Sequence, residues 1–155
     1  MTEPTWEYKG RLITEISDMP EGTFGFVYKI THIPSNRKYI GKKVLYNNRK
    51  KPLTKAEIAE QTGPGRKPTH KIVTTESDWR RYWGSNKDFQ LLVRTYSKDQ
   101  FSKEIIEFAP SKKLLTYYEC KYLFSMGVLE DPQMYANDNI LGKFYTKDFL
   151  VGDNK

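Results

Sequence analysis

The chain predicts an α+β fold: a small, mainly antiparallel three-stranded sheet flanked by helices, with a basic insertion after the second strand. Three observations carry that reading. Two alternating apolar runs, residues 25–32 and 38–43, are separated by Ile33-Pro34-Ser35-Asn36-Arg37, whose Pro-Ser-Asn centre is turn chemistry. A third alternating run, residues 101–108, is closed by Pro110. Apolar residues recur at helical spacing in two further places, first Phe89, Leu92 and Val93, then Leu114, Leu115, Tyr118, Tyr122 and Leu123.

Residues 6–17 mix aromatic and β-branched side chains around Lys9-Gly10, which predicts a short extra hairpin or an arm packed on the sheet. In the main hairpin, strand alternation turns Val27 and Lys29 away from Tyr28 and puts Tyr39 and Gly41 on one face. Tyr28 and Tyr39 are thereby expected as cross-strand neighbours, and His32 as a residue on the strand's surface. Residues 47–75 change character: Arg49-Lys50-Lys51-Pro52, a brief helical patch over 54–61, then Gly63-Pro64-Gly65-Arg66-Lys67-Pro68. Gly-Pro-Gly cannot continue a helix and the cations repel one another, so this segment reads as a mobile basic insertion ordered by a phosphate backbone. Thr75 to Asp78 are cap-like and predict a short helix from Trp79, with Trp79 and Trp83 as packing residues. A longer helix is expected over 87–96, and the last begins at the Ser111 cap and stops at Gly127.

A length of 155 residues suits one domain, 1–155, with a core over about 24–144. Twenty-six Lys and Arg against 19 Asp and Glu leave a net charge of +7 and a pI near 9.3, which favours a polyanionic partner, nucleic acid first. Cys120 is the only cysteine, which excludes an intramolecular disulfide and a thiolate zinc site; it is expected as a buried small hydrophobe in a reducing compartment. The start Met1-Thr2-Glu3-Pro4-Thr5-Trp6 has no signal-peptide character, and no apolar run approaches the roughly 18 residues needed to cross a bilayer. A soluble, cytoplasmic protein without membrane contact is the expectation.

Among the residues able to do chemistry, Glu119 stands out because Leu115 lies four positions before it and Leu123 four after, placing a carboxylate on or beside an apolar helical stripe. A carboxylate held there needs a partner. Tyr28 and Tyr39 are candidate proton-handling groups. A phenol with an ordinary pKa near 10 is a poor base at neutral pH, so a neighbouring cation is required to lower it. Lys43 shares the face of Tyr39 and Gly41, and is preferred to Lys42 on that ground.

With these residues in place, the chain resembles the GIY-YIG nucleases, whose two namesake tripeptides read here as Phe26-Val27-Tyr28 and Tyr39-Ile40-Gly41. The order continues with Lys42-Lys43, the tract from Trp79 to Ser85, Glu119 on a helix, and Asn137 and Asn139 near the end. In length and order it is similar to stand-alone, phage-encoded relatives of homing endonucleases. The resemblance implies metal-dependent endonucleolytic hydrolysis of DNA phosphodiesters. It makes Glu119 the single protein ligand of Mg2+ or Mn2+, Tyr39 the group assisting the attacking water and Tyr28 its positioner. It also calls for an arginine on the scissile phosphate and an asparagine that holds the site together. Arg80 and Arg81 both fit that arginine, ahead of Arg66, whose four-residue interval to His70 falls in a non-helical stretch. Gly84 and Ser85 stand where relatives place a histidine or tyrosine one turn after the arginine, and Tyr82 is a second phenol in reach. Asn137 fits the asparagine better than Asn139. Contacts to DNA are expected from Lys42, Arg49, Lys50, Lys51, Arg66, Lys67, His70 and Lys71. The alternative is a nucleic-acid-binding module on the same fold without catalysis.

Overall fold

The computed structural model describes residues 3–149; the remaining positions of the expected domain lie outside the described residues. In chain order the elements are β1 Trp6–Tyr8, β2 Arg11–Leu12, β3 Gly25–His32, β4 Arg37–Val44, β5 Tyr46–Pro52, α1 Lys55–Ala59, β6 His70–Glu76, α2 Lys87–Thr95, β7 Phe101–Ala109, α3 Lys112–Ser125, β8 Asn139–Ile140 and β9 Phe144–Tyr145. The expected strands and the helices over 87–96 and 111–127 are present as β3, β4, β7, α2 and α3.

The main sheet has five strands rather than three, in the order β2-β1-β7-β3-β4. The two extra strands are the hairpin around Lys9-Gly10, whose φ angles of 49° and 82° make the turn that suits the twist of adjoining strands. β1 joins β7 in parallel, Trp6 opposite Lys103, and all other pairings are antiparallel. What draws β1 in is burial: Trp6 is enclosed, and its indole N–H donates to the Trp79 carbonyl at 2.6 Å.

Alternation along β3 splits the core in two. Phe26, Tyr28 and Ile30 face one side with Trp6, Trp79 and Phe89 of α2, while Val27 faces the other with Ile40, Leu115, Leu123 and Val128 under α3. Each of these enclosed apolar side chains is worth roughly 1.5–3 kcal/mol of transfer free energy. His32 belongs to the first core and not to the surface: it is 3% exposed, stacked against Tyr96 and Phe101, and hydrogen-bonded to Ser35 at 2.6 Å and Gln100 at 3.2 Å. Alternation alone fixed its face, and the aromatic residues around the loop before β7 close over it. Cys120 is half-buried rather than enclosed, since it lies beside the packed stripe of α3 and not on it.

The insertion also departs from expectation, being a folded β-ribbon and not an irregular segment. Seven rungs pair β5 with β6, from Tyr46 opposite Glu76 to Pro52 opposite His70. The run Ile72-Val73-Thr74-Thr75 supplies β-branched partners, and the one like-charged rung, Lys51 opposite Lys71, is relieved by Glu57 of α1, 2.6 Å from the Lys71 ammonium. Where a helix from Trp79 was expected there is a single 3-10 turn, Trp79–Arg81. The extended backbone of Tyr82, at ψ 136°, ends this turn before α2.

Candidate active site

Gly41 lies on β4, the edge strand of the main sheet, directly opposite Tyr28. Tyr39 pairs with Ile30, so the two tyrosines are diagonal neighbours on the α2 side, with ring centroids 6.3 Å apart. The Tyr28 ring reaches across Gly41 towards the edge. A Cβ on Gly41 would meet the Tyr28 hydroxyl and stand 2.6 Å from its Cζ and 3.1 Å from Cε2 of Tyr39. Gly84 packs on the same pair: a Cβ there would lie 3.3 Å from the Tyr28 hydroxyl and from the Tyr39 ring. The glycine that broke the expected pattern therefore admits the two phenols, at a backbone angle that favours glycine. Tyr82 completes a third phenol in this group, its ring edge-on to Tyr28 at 5.9 Å.

Glu119 comes from the opposite layer. α3 covers the other face of the sheet, with Leu115 and Leu123 inward, and Glu119 is one turn from each, at the margin of that contact where β4 ends the sheet. Its charge contributes, after burial, to raising the pKa values of both phenols, so its field reaches them from the opposite layer across the edge strand. Burial pushes the Glu119 carboxyl above its ordinary value, with Lys42 opposing from 3.8 Å. Lys42 itself donates to the Thr116 hydroxyl at 3.0 Å. Among the described residues the Glu119 carboxylate accepts no hydrogen bond, which leaves a half-buried anion under-compensated. One such carboxylate, leaving the remaining positions to water and phosphate, is a donor set that suits a hard divalent cation; no group of three His, Cys, Asp or Glu side chains converges anywhere among the described residues.

The phenols are not activated by a lysine here. Burial first, then Tyr39, Tyr82 and Glu119, raise Tyr28 well above the ordinary tyrosine range; Tyr39 is also raised by burial, against a hydrogen bond from Ser85 that acts in the opposite direction. Lys43, expected beside Tyr39, instead places its ammonium 2.7 Å from Asp78 and 4.0 Å from the Tyr82 ring centroid. Alternation put Lys43 on the correct face, but a carboxylate arriving from the segment after the ribbon takes its charge. That hydrogen bond also holds the Asp78 carboxyl below its ordinary value.

The two arginines separate. Arg80 donates to the Thr14 carbonyl at 2.8 Å, pairs with Glu76 and, at 3.7 Å, with Glu15, and stacks 4.5 Å over Trp79, all beside the N-terminal hairpin. Arg81 is exposed, lines a cavity with Asp78, Tyr82, Trp83 and Gly84, and makes no ion pair among the described residues. Of the two, Arg81 borders the phenol group. Arg66 and His70 lie near the outer end of the ribbon, about 20 Å of strand from its root, and the structure does not bring them to the tyrosines.

Asn137 is buried and bonded twice to the central residue of the second tripeptide: its Oδ1 accepts from the Ile40 N–H at 3.1 Å and its Nδ2 donates to the Ile40 carbonyl at 2.8 Å. The side-chain amide imitates a strand rung. Backbone bonds from Lys38 to Met134 and from Ala136 to Lys38 continue the pattern, so the edge of β4 is closed as far as Ile40. Asn139 is exposed and caps the turn at Gly142.

A protein-family model described as "Putative endonuclease segE, GIY-YIG domain" matches residues 6–140. The chain belongs to this GIY-YIG family. No curated protein and no solved structure matched it. The match begins at Trp6, so the β1–β2 hairpin that widens the sheet lies within the span of the GIY-YIG domain. Asp78, read in the sequence only as a cap-like residue, is the site neighbour that sequence reasoning missed, because it acts through Lys43, far away in sequence. No helix among the described residues is long and apolar enough to cross a membrane.

Proposed function

We propose that this GIY-YIG chain is a divalent-metal-dependent endonuclease that hydrolyses DNA phosphodiester bonds. The observation that carries the reading is the meeting of Tyr28, Tyr39 and Tyr82 with the under-compensated Glu119 around the side-chain-free position Gly41. Glu119 is the residue to hold Mg2+ or Mn2+, and a cation bound there would polarise the scissile phosphate and relieve charge on the leaving oxygen. The neutral hydroxyls of Tyr39 and Tyr28 hold the attacking water by hydrogen bonds, and Tyr39 takes the water's proton only as it passes its own hydroxyl proton on to solvent, so that the phenol stays neutral while the new P–O bond forms. Their raised pKa values argue against an anionic phenolate waiting in the free protein. Ser85 lies near the Tyr39 hydroxyl and acts against the rise in its pKa. Arg81 is the cation for the non-bridging phosphate oxygens, and Lys42 becomes free to contact the strand when its counter-charge at Glu119 is met otherwise. Asn137 positions Tyr39 and Gly41 by pinning Ile40 between them.

The experiment is a nicking assay on supercoiled plasmid with Mg2+ or Mn2+. Wild type converts it to open-circular or linear DNA, EDTA stops the reaction, and Glu119→Ala removes it. Equal cleavage by Glu119→Ala refutes the metal role; DNA binding with no cleavage under either ion assigns the chain to non-catalytic binding.

A further inference from the structure

The β5–β6 ribbon is exposed along both strands except at Val73, and the segment from Tyr46 to Glu76 carries seven Lys and Arg against three Glu. Nothing in the metal site uses it. Alternation gives the ribbon two different faces. One bears Asn47, Arg49 and Lys51 opposite Thr75, Val73 and Lys71. α1 folds back on this side, since Glu57 bonds Lys71, while Val73 and Leu53 are half-buried. The other face is open at every rung: Asn48 opposite Thr74, Lys50 opposite Ile72, Pro52 opposite His70. Ile72 is 66% exposed amid polar neighbours, and the Thr74 hydroxyl donates to Asn48 at 2.7 Å. Towards the outer end this face deepens into a cleft lined by Lys50, Arg66, Lys67, Thr69 and His70, with no carboxylate among its lining residues.

We propose that the β5–β6 ribbon lies in the major groove of duplex DNA, with the Asn48–Lys50–Ile72–Thr74 face against the base edges and Arg66 and Lys67 on the phosphates at the groove's lip. The fit is geometric first. Seven rungs at about 3.4 Å make a ribbon roughly 20 Å long, and two strands about 4.8 Å apart pass within a groove about 12 Å wide. The side-chain types follow: a lysine donates to purine acceptors, an amide both donates to and accepts from purine edges, and an exposed isoleucine finds in the thymine methyl the apolar contact that water denies it. A-form RNA has too narrow a major groove for such a ribbon. The root of the ribbon is fixed beside the proposed active site, where Ser77 hydrogen-bonds the backbone of Leu45 at 2.8 Å and of Val44 at 2.6 Å, and the adjoining Asp78 holds Lys43. Reading and cutting are therefore about one ribbon length apart.

The inference takes DNA as partner from the nuclease reading, and its test is made without cleavage. The full chain is titrated in EDTA against a fluorescent random-sequence DNA duplex at several salt concentrations, with methyl green as major-groove and netropsin as minor-groove competitor. Methyl green should displace the protein and netropsin should not. The Lys50→Ala, Arg66→Ala, Lys67→Ala triple variant should lower the slope of log K against log salt by about 2, from the two phosphate contacts of Arg66 and Lys67. Ile72→Ser should weaken binding severalfold with the slope unchanged, while Arg49→Ala with Lys51→Ala on the α1 side changes the slope by less than half as much as the triple variant. Displacement by netropsin alone, equal binding of duplex RNA, or the reverse ranking of the two faces overturns the proposal. All these positions except Lys67 are exposed, so folding is not at stake. Absence of nicking with this binding pattern intact refutes the nuclease and leaves the ribbon; nicking by the triple variant at unchanged KM refutes the ribbon and leaves the nuclease.

Discussion

Lys103 is a lysine enclosed in the core, and replacing it with methionine should make the protein more stable, by an amount that depends on pH. The side chain is 2% exposed, its ammonium lies 4.3 Å from the Trp6 ring centroid and 4.7 Å from that of Trp83, and its one hydrogen bond goes to the Arg80 carbonyl at 3.4 Å. Burial drives its pKa from the ordinary 10.5 to about 7. A displacement of that size corresponds to roughly 5 kcal/mol of disfavour for the charged form. The two indole faces offset part of it, about 1–2 kcal/mol each when desolvated, which leaves a net cost near 2 kcal/mol and draws the folded pKa back towards the ordinary value, so the pH dependence falls in the upper part of the window between the two. The direction with pH follows from proton counting. Below about pH 7 both folded and unfolded chains carry the proton, so the full cost of burying the charge is present. Between about pH 7 and 10.5 the unfolded chain retains a proton that the folded chain has released, so stability rises with pH across that window. Lys103→Met keeps the length of the stem and cannot charge. At pH 6 it should raise Tm by about 5 °C, and the gain should shrink steadily by pH 9.5. Thermal or urea unfolding of both proteins across this range reads the result directly. A Lys103→Met protein no more stable than wild type at pH 6, or a difference that is flat with pH, would refute the account of Lys103 as an uncompensated buried charge.

Gly41→Ala places a methyl against the Tyr28 hydroxyl and 2.6 Å from Cζ; overpacking of this kind costs about 1–3 kcal/mol, and calorimetry should find that loss together with a fall in nicking rate larger than the unfolded fraction explains. Asn137→Ala leaves the Ile40 N–H and carbonyl unpaired, at about 1–3 kcal/mol for each group; hydrogen exchange should quicken at Ile40 in preference to β7, and uniform exchange would contradict the pinning role. Glu119→Gln should stabilise the protein at neutral pH while abolishing cleavage. A carboxyl whose folded pKa is raised by burial destabilises above that pKa and not below the ordinary 4.5, so the stabilisation should vanish at about pH 4 in thermal melts. Tyr39→Phe, which keeps the ring contacts and loses the hydroxyl, should lower kcat by about 10²–10⁴ with little change in DNA affinity; an unchanged kcat would remove Tyr39 from proton handling.

The strands of the main hairpin, the third strand and the two long helices were legible because each is encoded locally, by alternation or by helical spacing bounded with Pro, Ser or Gly. Glu119 was legible for the same reason, as a carboxylate one turn from two buried leucines. What could not be read was set by distant partners. The parallel addition of β1 to β7 depends on Trp6 reaching Trp79, 73 residues away. Lys43 was correctly placed on a face and wrongly paired, because Asp78 arrives only after the ribbon has returned. The ribbon itself was hidden by its charges: Arg49-Lys50-Lys51 reads as disorder until the β-branched run of β6 is seen to lie opposite. Gly84 looked like a missing polar partner and is instead a requirement of space, which only the two rings above it reveal.

The position of β4 explains why a site of this composition sits at an edge. In the middle of the sheet a backbone strand would separate phenols on one face from a carboxylate on the other, and the two could not face a common point. At the edge only Gly41 stands between them, and the absent side chain lets the Tyr28 ring reach towards the rim on whose other side α3 carries Glu119. An exposed edge strand is also a liability, since its unpaired groups invite another strand. Asn137 answers both demands at once. By satisfying Ile40 from the side it closes the edge up to that residue, while contributing no backbone beyond it, so the edge opens again at the exposed Lys42. A main-chain strand in place of Asn137 would have continued along β4 and covered the site.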